Sequence, residues 1–194
     1  MQGVWLVFYP QFLNKILLIS VITVICGTNR PQNVTRHIAS LYSAQLEAKG
    51  VEVKLLSIED LPKDYAFNND VYGETSEGFH QIVQEFIVPA EKLVVVTPEY
   101  NGSVPGVFKA FIDGIWPEVL RGKKAALVGV ASGRAGNVRG MDHLTNIFNY
   151  LDIQVLPYKV PLSGIDALLD EDRVLKDPKA LDMIDRQVEK LLVF

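Results

Sequence analysis

Residues 93–96 and 125–130 are continuously apolar, residues 21–25 are all β-branched, and each segment leads into a loop rich in Gly, Ser, Thr and Asn. A helical pattern follows each loop. Two further segments read as strands but carry polar positions. Residues 51–55 set Val51, Val53 and Leu55 against Glu52 and Lys54, and residues 153–156 are short and broken by Gln154. In a sheet covered by helices on both faces, the central strands are apolar throughout, whereas edge strands tolerate polar side chains. The second and fifth strands therefore belong at the edges. That gives a five-stranded, doubly wound parallel sheet in three layers, with strand order 2-1-3-4-5. Helical patterns near 33–49, 76–88, 104–120, 138–151 and 178–192 supply right-handed crossovers. The first of them sets Val34, Ile38, Leu41 and Ala48 on one face and stops at Gly50.

A chain of 194 residues, 48% hydrophobic and 22% charged, fits one folded domain. Its net charge of -4 offers no basic surface for nucleic-acid phosphates. The single cysteine, Cys26, excludes an internal disulfide framework and points to the cytoplasm. It ends an apolar run, which suits a packed thiol better than a reactive one. His37, His80 and His143 have no metal-ligand spacing, so no metal is expected, and His143 reads as a surface or boundary histidine.

Residues 1–20 form an N-terminal extension of uncertain status, and the folded domain is expected over 21–194. The apolar run at 16–26 is shorter than the roughly 20 residues of a spanning helix, and Gln11, Asn14 and Lys15 break any longer version. No membrane span is expected. The extension reads either as an extra strand or arm, or as sequence upstream of a natural start at Val21.

In a doubly wound sheet the ligand crevice lies beyond the carboxyl ends of the strands, near the point where strand order reverses. Three loops reach that edge. Gly27-Thr28-Asn29-Arg30-Pro31-Gln32-Asn33 offers hydroxyl, amide and guanidinium donors at a helix start, where a terminal phosphate would be favoured. An ordinary turn with Asn33 as N-cap fits it equally well. In Thr97-Pro98-Glu99-Tyr100-Asn101-Gly102-Ser103, Pro98 and Gly102 hold a turn whose main-chain groups can face a planar heterocycle, with Tyr100 as a stacking face. Ser103 is expected to cap the next helix, with Pro105 in its first turn. A turn with a core tyrosine leaves Glu99 and Asn101 without a role. Ala131-Ser132-Gly133-Arg134-Ala135-Gly136-Asn137 would bring small residues to the same ligand. Gly102, Gly133 and Gly136 are the expected open positions, and Arg134 and Arg139 are either solvated charges or contacts for a nucleotide phosphate.

With those residues in view, the chain resembles the NADPH-dependent FMN reductase family, which includes quinone, azo-dye and chromate reductases. The resemblance rests on Thr97-Pro98-Glu99-Tyr100-Asn101 and its continuation through Gly106 to Asp113, on Gly27-Thr28-Asn29-Arg30, and on Ser132, Gly133 and Gly136. It implies a flavodoxin-like fold over 21–157. It also implies that Thr28, Arg30, Asn33, Val34 and Thr35 hold the FMN phosphate, and that Pro98, Glu99, Tyr100, Asn101 and Gly102, with Ser132 and Gly133, border the isoalloxazine. Many relatives have serine where this chain has Asn33. The resemblance further implies ping-pong transfer from NADPH or NADH through FMN to a small acceptor (quinone, azo compound, metal oxyanion or free flavin) in a homodimer or homotetramer. The cofactor carries that chemistry, so no catalytic side chain is expected. A non-enzymatic FMN electron carrier is the rival reading, and a net charge of -4 is mild for a protein steered towards basic partners.

Overall fold

The computed structural model describes residues 21–68 and 77–194. The N-terminal extension, and the first residue expected in the second helix, lie outside them. The strands β1 (Val21–Cys26), β2 (Glu52–Ser57), β3 (Ala90–Pro98), β4 (Lys124–Ala131) and β5 (Gln154–Val155) form a parallel sheet in the order β2-β1-β3-β4-β5. This is the expected flavodoxin-like topology.

Side chains alternate across each strand, and the sheet divides the core accordingly. Ile22, Val24, Val94, Val96, Ala126 and Val128 pack under α1 (Val34–Ala48) and α7 (Pro178–Val193). Ile25, Leu93, Val95, Ala125 and Leu127 pack on the other face, under α3 (Glu77–Ile82) and its π-helical continuation Val83–Ile87, α4 (Gly106–Asp113) and α6 (Val138–Tyr150). Both faces are buried, which explains why the central strands are apolar throughout. Among the described residues no helix is long and apolar enough to cross a membrane.

Four sequence expectations change. The five-stranded sheet has a sixth strand, β6 (Val160–Ser163), which pairs with β4 beyond β5. The edge strand is interrupted between them at Pro157, which has no N–H for the ladder. The interruption leaves Leu127 O and Tyr158 O without strand partners, and the buried Gln187 of α7 donates Nε2 to both, at 3.0 and 2.7 Å. The helix expected over 104–120 is two helices, α4 and α5 (Pro117–Leu120). Gly114 caps the first, and Pro117 drives Trp116 to an extended backbone (ψ 127°). On α1 the buried face is Thr35, Ile38, Ala39, Tyr42, Ser43 and Leu46, while Val34 and Leu41 are half-buried and Ala48 is exposed. Finally, a short helix α2 (Tyr65–Asn68) follows β2 where no element was expected.

Cys26 is buried at the end of β1, with Sγ donating to Asn33 Oδ1 at 3.4 Å. Burial pushes its thiol from 9.0 up to about 11. The native state therefore favours the protonated thiol. That preference contributes stability below about pH 9 and loses it as pH rises towards 11. Iodoacetamide at about pH 8 should label Cys26 only after denaturation, a result that mass spectrometry reads directly.

Candidate functional site

The loop after β1 continues the ladder through Gly27 N–H, which donates to Val96 O at 2.8 Å. Thr28 is fully buried, and its Oγ1 is 2.7 Å from Tyr100 Oη and accepts from Arg30 N at 3.3 Å. The Arg30 guanidinium lies 4.0 Å above the Tyr100 ring, so one face of the expected stacking tyrosine is covered by the loop's own arginine. Arg30 makes no ion pair among the described residues. Arg36, by contrast, is bound to Asp60 (3.0 Å) and Glu59 (3.4 Å).

Asn33 is the N-cap of α1. Its Oδ1 accepts from Arg36 N at 2.8 Å, while Nδ2 donates to Arg30 O at 2.6 Å and lies 3.4 Å from Glu59 Oε2. The side chain is thus committed to folding the loop. The N–H groups of Val34 and Thr35, in the first helical turn, have no intrahelical acceptor and point with the helix dipole towards the loop.

Beyond β3, Glu99 N–H donates to Val130 O at 3.1 Å. Tyr100 and Ser103 then exchange backbone hydrogen bonds of 2.8 and 3.1 Å across Asn101 (φ 52°) and Gly102 (φ 77°). Two central residues with positive φ make a type I′ turn, for which Asn-Gly is the favoured pair. Asn101 therefore has a conformational role that the sequence reading did not find. Ser103 does not cap α4: its Oγ is 2.8 Å from His143 Nδ1 and pins the turn to α6. Pro105 stands at the cap position, one residue before the first turn. His143 is exposed, in line with a surface histidine.

The loop after β4 is shaped by close backbone approach. Gly136 (φ 56°) would place a Cβ 2.7 Å from Pro161, and Gly129 would place one 2.1 Å from Gly136 O. Asn137, fully buried with φ 62°, donates Nδ2 to Thr97 O at 2.9 Å and ties this loop to the base of the one after β3. Gly136 thus packs against Pro161 instead of facing the ligand crevice. Gly133 is open, because a Cβ there meets nothing within 4 Å, and one at Gly102 would meet only Arg139 Cδ at 3.9 Å. Neither Gly129 nor Asn137 stood out in the sequence, since their contacts are with residues distant along the chain.

All twelve expected site residues reach this edge of the sheet. Thr28, Arg30, Asn33, Val34, Thr35, Pro98, Glu99 and Tyr100 line a hollow of about 320 Å³. Asn101, Gly102 and Gly133 line an adjoining one of about 500 Å³, and Glu99, Ala131 and Ser132 form the shared wall. Ile165 and Asp166, which follow β6, close the first hollow. They lie in a stretch where sequence reasoning found no element. Hollows of roughly 300–1,000 Å³ hold cofactors, and this pair offers phosphate donors at one end and glycine-lined space at the other. The residues present therefore fit FMN.

The family model described as NADPH-dependent FMN reductase matches residues 21–166. The chain belongs to that family. Members are oxidoreductases, and with them the chain is an NAD(P)H-dependent, FMN-using enzyme. It is 35% identical to an NAD(P)H-dependent FMN reductase of Pseudomonas aeruginosa over 73% of this chain and 77% of that one. It is 32% identical to a quinone reductase of Escherichia coli, over 79% and 77% respectively. Among solved structures, the flavoenzyme NAD(P)H:(acceptor) oxidoreductase FerB of Paracoccus denitrificans superposes with a TM-score of 0.71 at 23% identity, over 89% of this chain and 94% of that one. A flavodoxin of Streptococcus pneumoniae (TM-score 0.55, 14% identity, 90% and 97% covered) shares the fold.

Proposed function

We propose that residues 21–194 form one FMN-binding domain that delivers electrons from NAD(P)H to a small acceptor such as a quinone, an azo compound, a metal oxyanion or free flavin. The convergence of the three strand-end loops on one two-part hollow carries this reading. Arg30, with the Thr28 hydroxyl and the N–H groups of Val34 and Thr35, would hold the FMN phosphate, while Asn33 shapes that loop from within. Residues 98–102, with Ser132 and Gly133, would border the isoalloxazine. When bound, FMN supplies the hydride acceptance and electron release, and the protein's own part is to bind, orient and leave space. The Asn101-Gly102 turn, held by Ser103 and His143, presents rigid backbone to the hollow. Gly133 leaves room for a second planar ring.

The same reading places the protein in the cytoplasm as a homodimer or homotetramer. Self-association is supported by the half-exposed Trp116 and the exposed Tyr150, which lie at α5 and the end of α6, and by Ile112, Ile115, Ile147 and Tyr150, which line an apolar cleft of about 450 Å³. Sedimentation of the purified protein reads the oligomeric state.

The deciding experiment is anaerobic mixing of FMN-loaded protein with NADPH or NADH. Flavin bleaching within seconds is expected, given usual turnover of roughly 1–1000 per second. Failure with both nucleotides would leave a non-enzymatic electron carrier. For the phosphate end, the double substitution Thr28→Ala with Arg30→Ala should weaken FMN binding by about 10- to 100-fold or more, the loss expected for charge-assisted hydrogen bonds. Circular dichroism should be unchanged. An unaltered FMN titration in the folded variant would remove this loop from the site.

A further inference from the structure

The larger hollow carries two guanidinium groups that the FMN cradle does not use. Arg134 and Arg139 both line it, together with Glu99, Gly102 and Gly133. Arg134 is exposed and has no hydrogen bond or ion pair among the described residues. Arg139 has one ion pair there, a loose 3.9 Å approach to Glu99 Oε1, and 70% of its side chain is exposed. Other basic side chains of this molecule are held more closely: Arg36 by Asp60 at 3.0 Å, Lys109 by Asp113 at 2.7 Å, and Arg186 by Asp182 at 2.9 Å.

The placement of Arg139 is also unfavourable for its helix. It stands in the first turn of α6, which has no acidic residue there and no side-chain cap from Asn137. A cation at the positive end of a helix opposes the dipole. Helix stability therefore does not account for it, and its position is on the wall of the hollow. Two guanidinium groups and one carboxylate leave the wall net positive, and the helix terminus adds to that potential. Glu99, 20% exposed on the wall shared with the FMN cradle, stands near Arg139 as an internal counterion that an incoming anion can replace.

We propose that Arg134 and Arg139 receive an anionic group on the molecule that exchanges electrons with the flavin. Two sources share that chemistry: the extra phosphate that distinguishes NADPH from NADH, and an acidic substituent on the acceptor. The arginine fork suits either, since phosphate and sulfonate present several oxygens to paired N–H donors. The proposal rests on the FMN reading above, because it is the flavin that brings the second molecule to this hollow.

The test uses FMN-loaded protein carrying Arg134→Gln, Arg139→Gln, and both. In the first arm, kcat/KM is measured for NADPH and for NADH with an uncharged quinone as acceptor. In the second, a sulfonated and an uncharged quinone are compared with NADH as donor. The third measures NADP+ and NAD+ binding by calorimetry. A drop of about 10- to 100-fold in the NADPH-to-NADH ratio, matched in the NADP+-to-NAD+ ratio, assigns the nucleotide phosphate. A comparable drop confined to the sulfonated quinone assigns the acceptor. Either preference should fade in wild type as salt is raised. The proposal is overturned if all three ratios stay put in folded, FMN-loaded double variant, or if that variant loses its flavin, which would put the arginines in the cofactor cradle. Should neither nucleotide reduce wild-type flavin, the functional reading fails instead, and the calorimetric ratio still decides whether the arginines read the phosphate.

Discussion

Gly129→Val should cost the fold roughly 3–5 kcal/mol and abolish FMN binding with it. Gly129 lies within β4, paired with Thr97 on one side and Pro161 on the other. A Cβ there would sit 2.1 Å from Gly136 O and 2.9 Å from Asn137 Cβ. The backbone carbonyl has no flexible end that can move aside, so either the strand or the loop must shift. The shift would break the 2.9 Å hydrogen bond from Asn137 to Thr97 O and separate the two loops that share the wall of the hollow. Total stability for a domain of this kind is about 5–15 kcal/mol, so the loss is a large fraction of it. Urea denaturation checks the result. Gly106→Ala is the control, because a Cβ there meets nothing within 4 Å. An unchanged denaturation midpoint for Gly129→Val would mean that the close approach between β4 and the following loop does not constrain the site.

Gly133→Leu should do the opposite, leaving stability within about 0.5 kcal/mol and cutting the rate of flavin reduction about 100-fold or more. The residue is exposed, its φ is not positive, and its carbonyl is held by Gly164 N–H at 3.0 Å, so the backbone is fixed while the side-chain direction is open. A leucine would fill the hollow proposed to admit the second ring. Flavin content by absorbance and the anaerobic half-reaction by stopped flow separate cofactor binding from access. Gly136→Leu makes the contrast, because at φ 56° and 2.7 Å from Pro161 it should fail as a folding defect. Wild-type reduction rates in flavin-loaded Gly133→Leu would show that the donor does not approach over this loop.

The strand order could be read from where polar residues interrupt the strands, because burial on both faces removes polar side chains from central strands and leaves them tolerable at edges. Glu52 and Lys54 at one side, and Gln154 at the other, were enough. The elements that went unread depend on breaks. The apolar pattern over 104–120 reads as one helix although Pro117 follows Trp116, and β6 escapes the pattern because Pro157 ends it before the strand resumes. The residues of the site were legible as types: a phosphate-suited loop at a helix start, a turn held by Pro98 and Gly102, and small residues after the fourth strand.

Sequence by itself therefore determined the order of five strands and the three loops that meet at their carboxyl ends, since these follow from local polarity and from turn and helix-start chemistry. Only the tertiary structure decided which residues face the hollow. Ser103 reached across to His143, Gly136 went to Pro161, and Arg30 came to lie on Tyr100. Each of those outcomes is set by a partner far away in the chain or by competition among several donors for one acceptor. Such competition has no local signature, because the winning contact exists only once the sheet has brought the loops together.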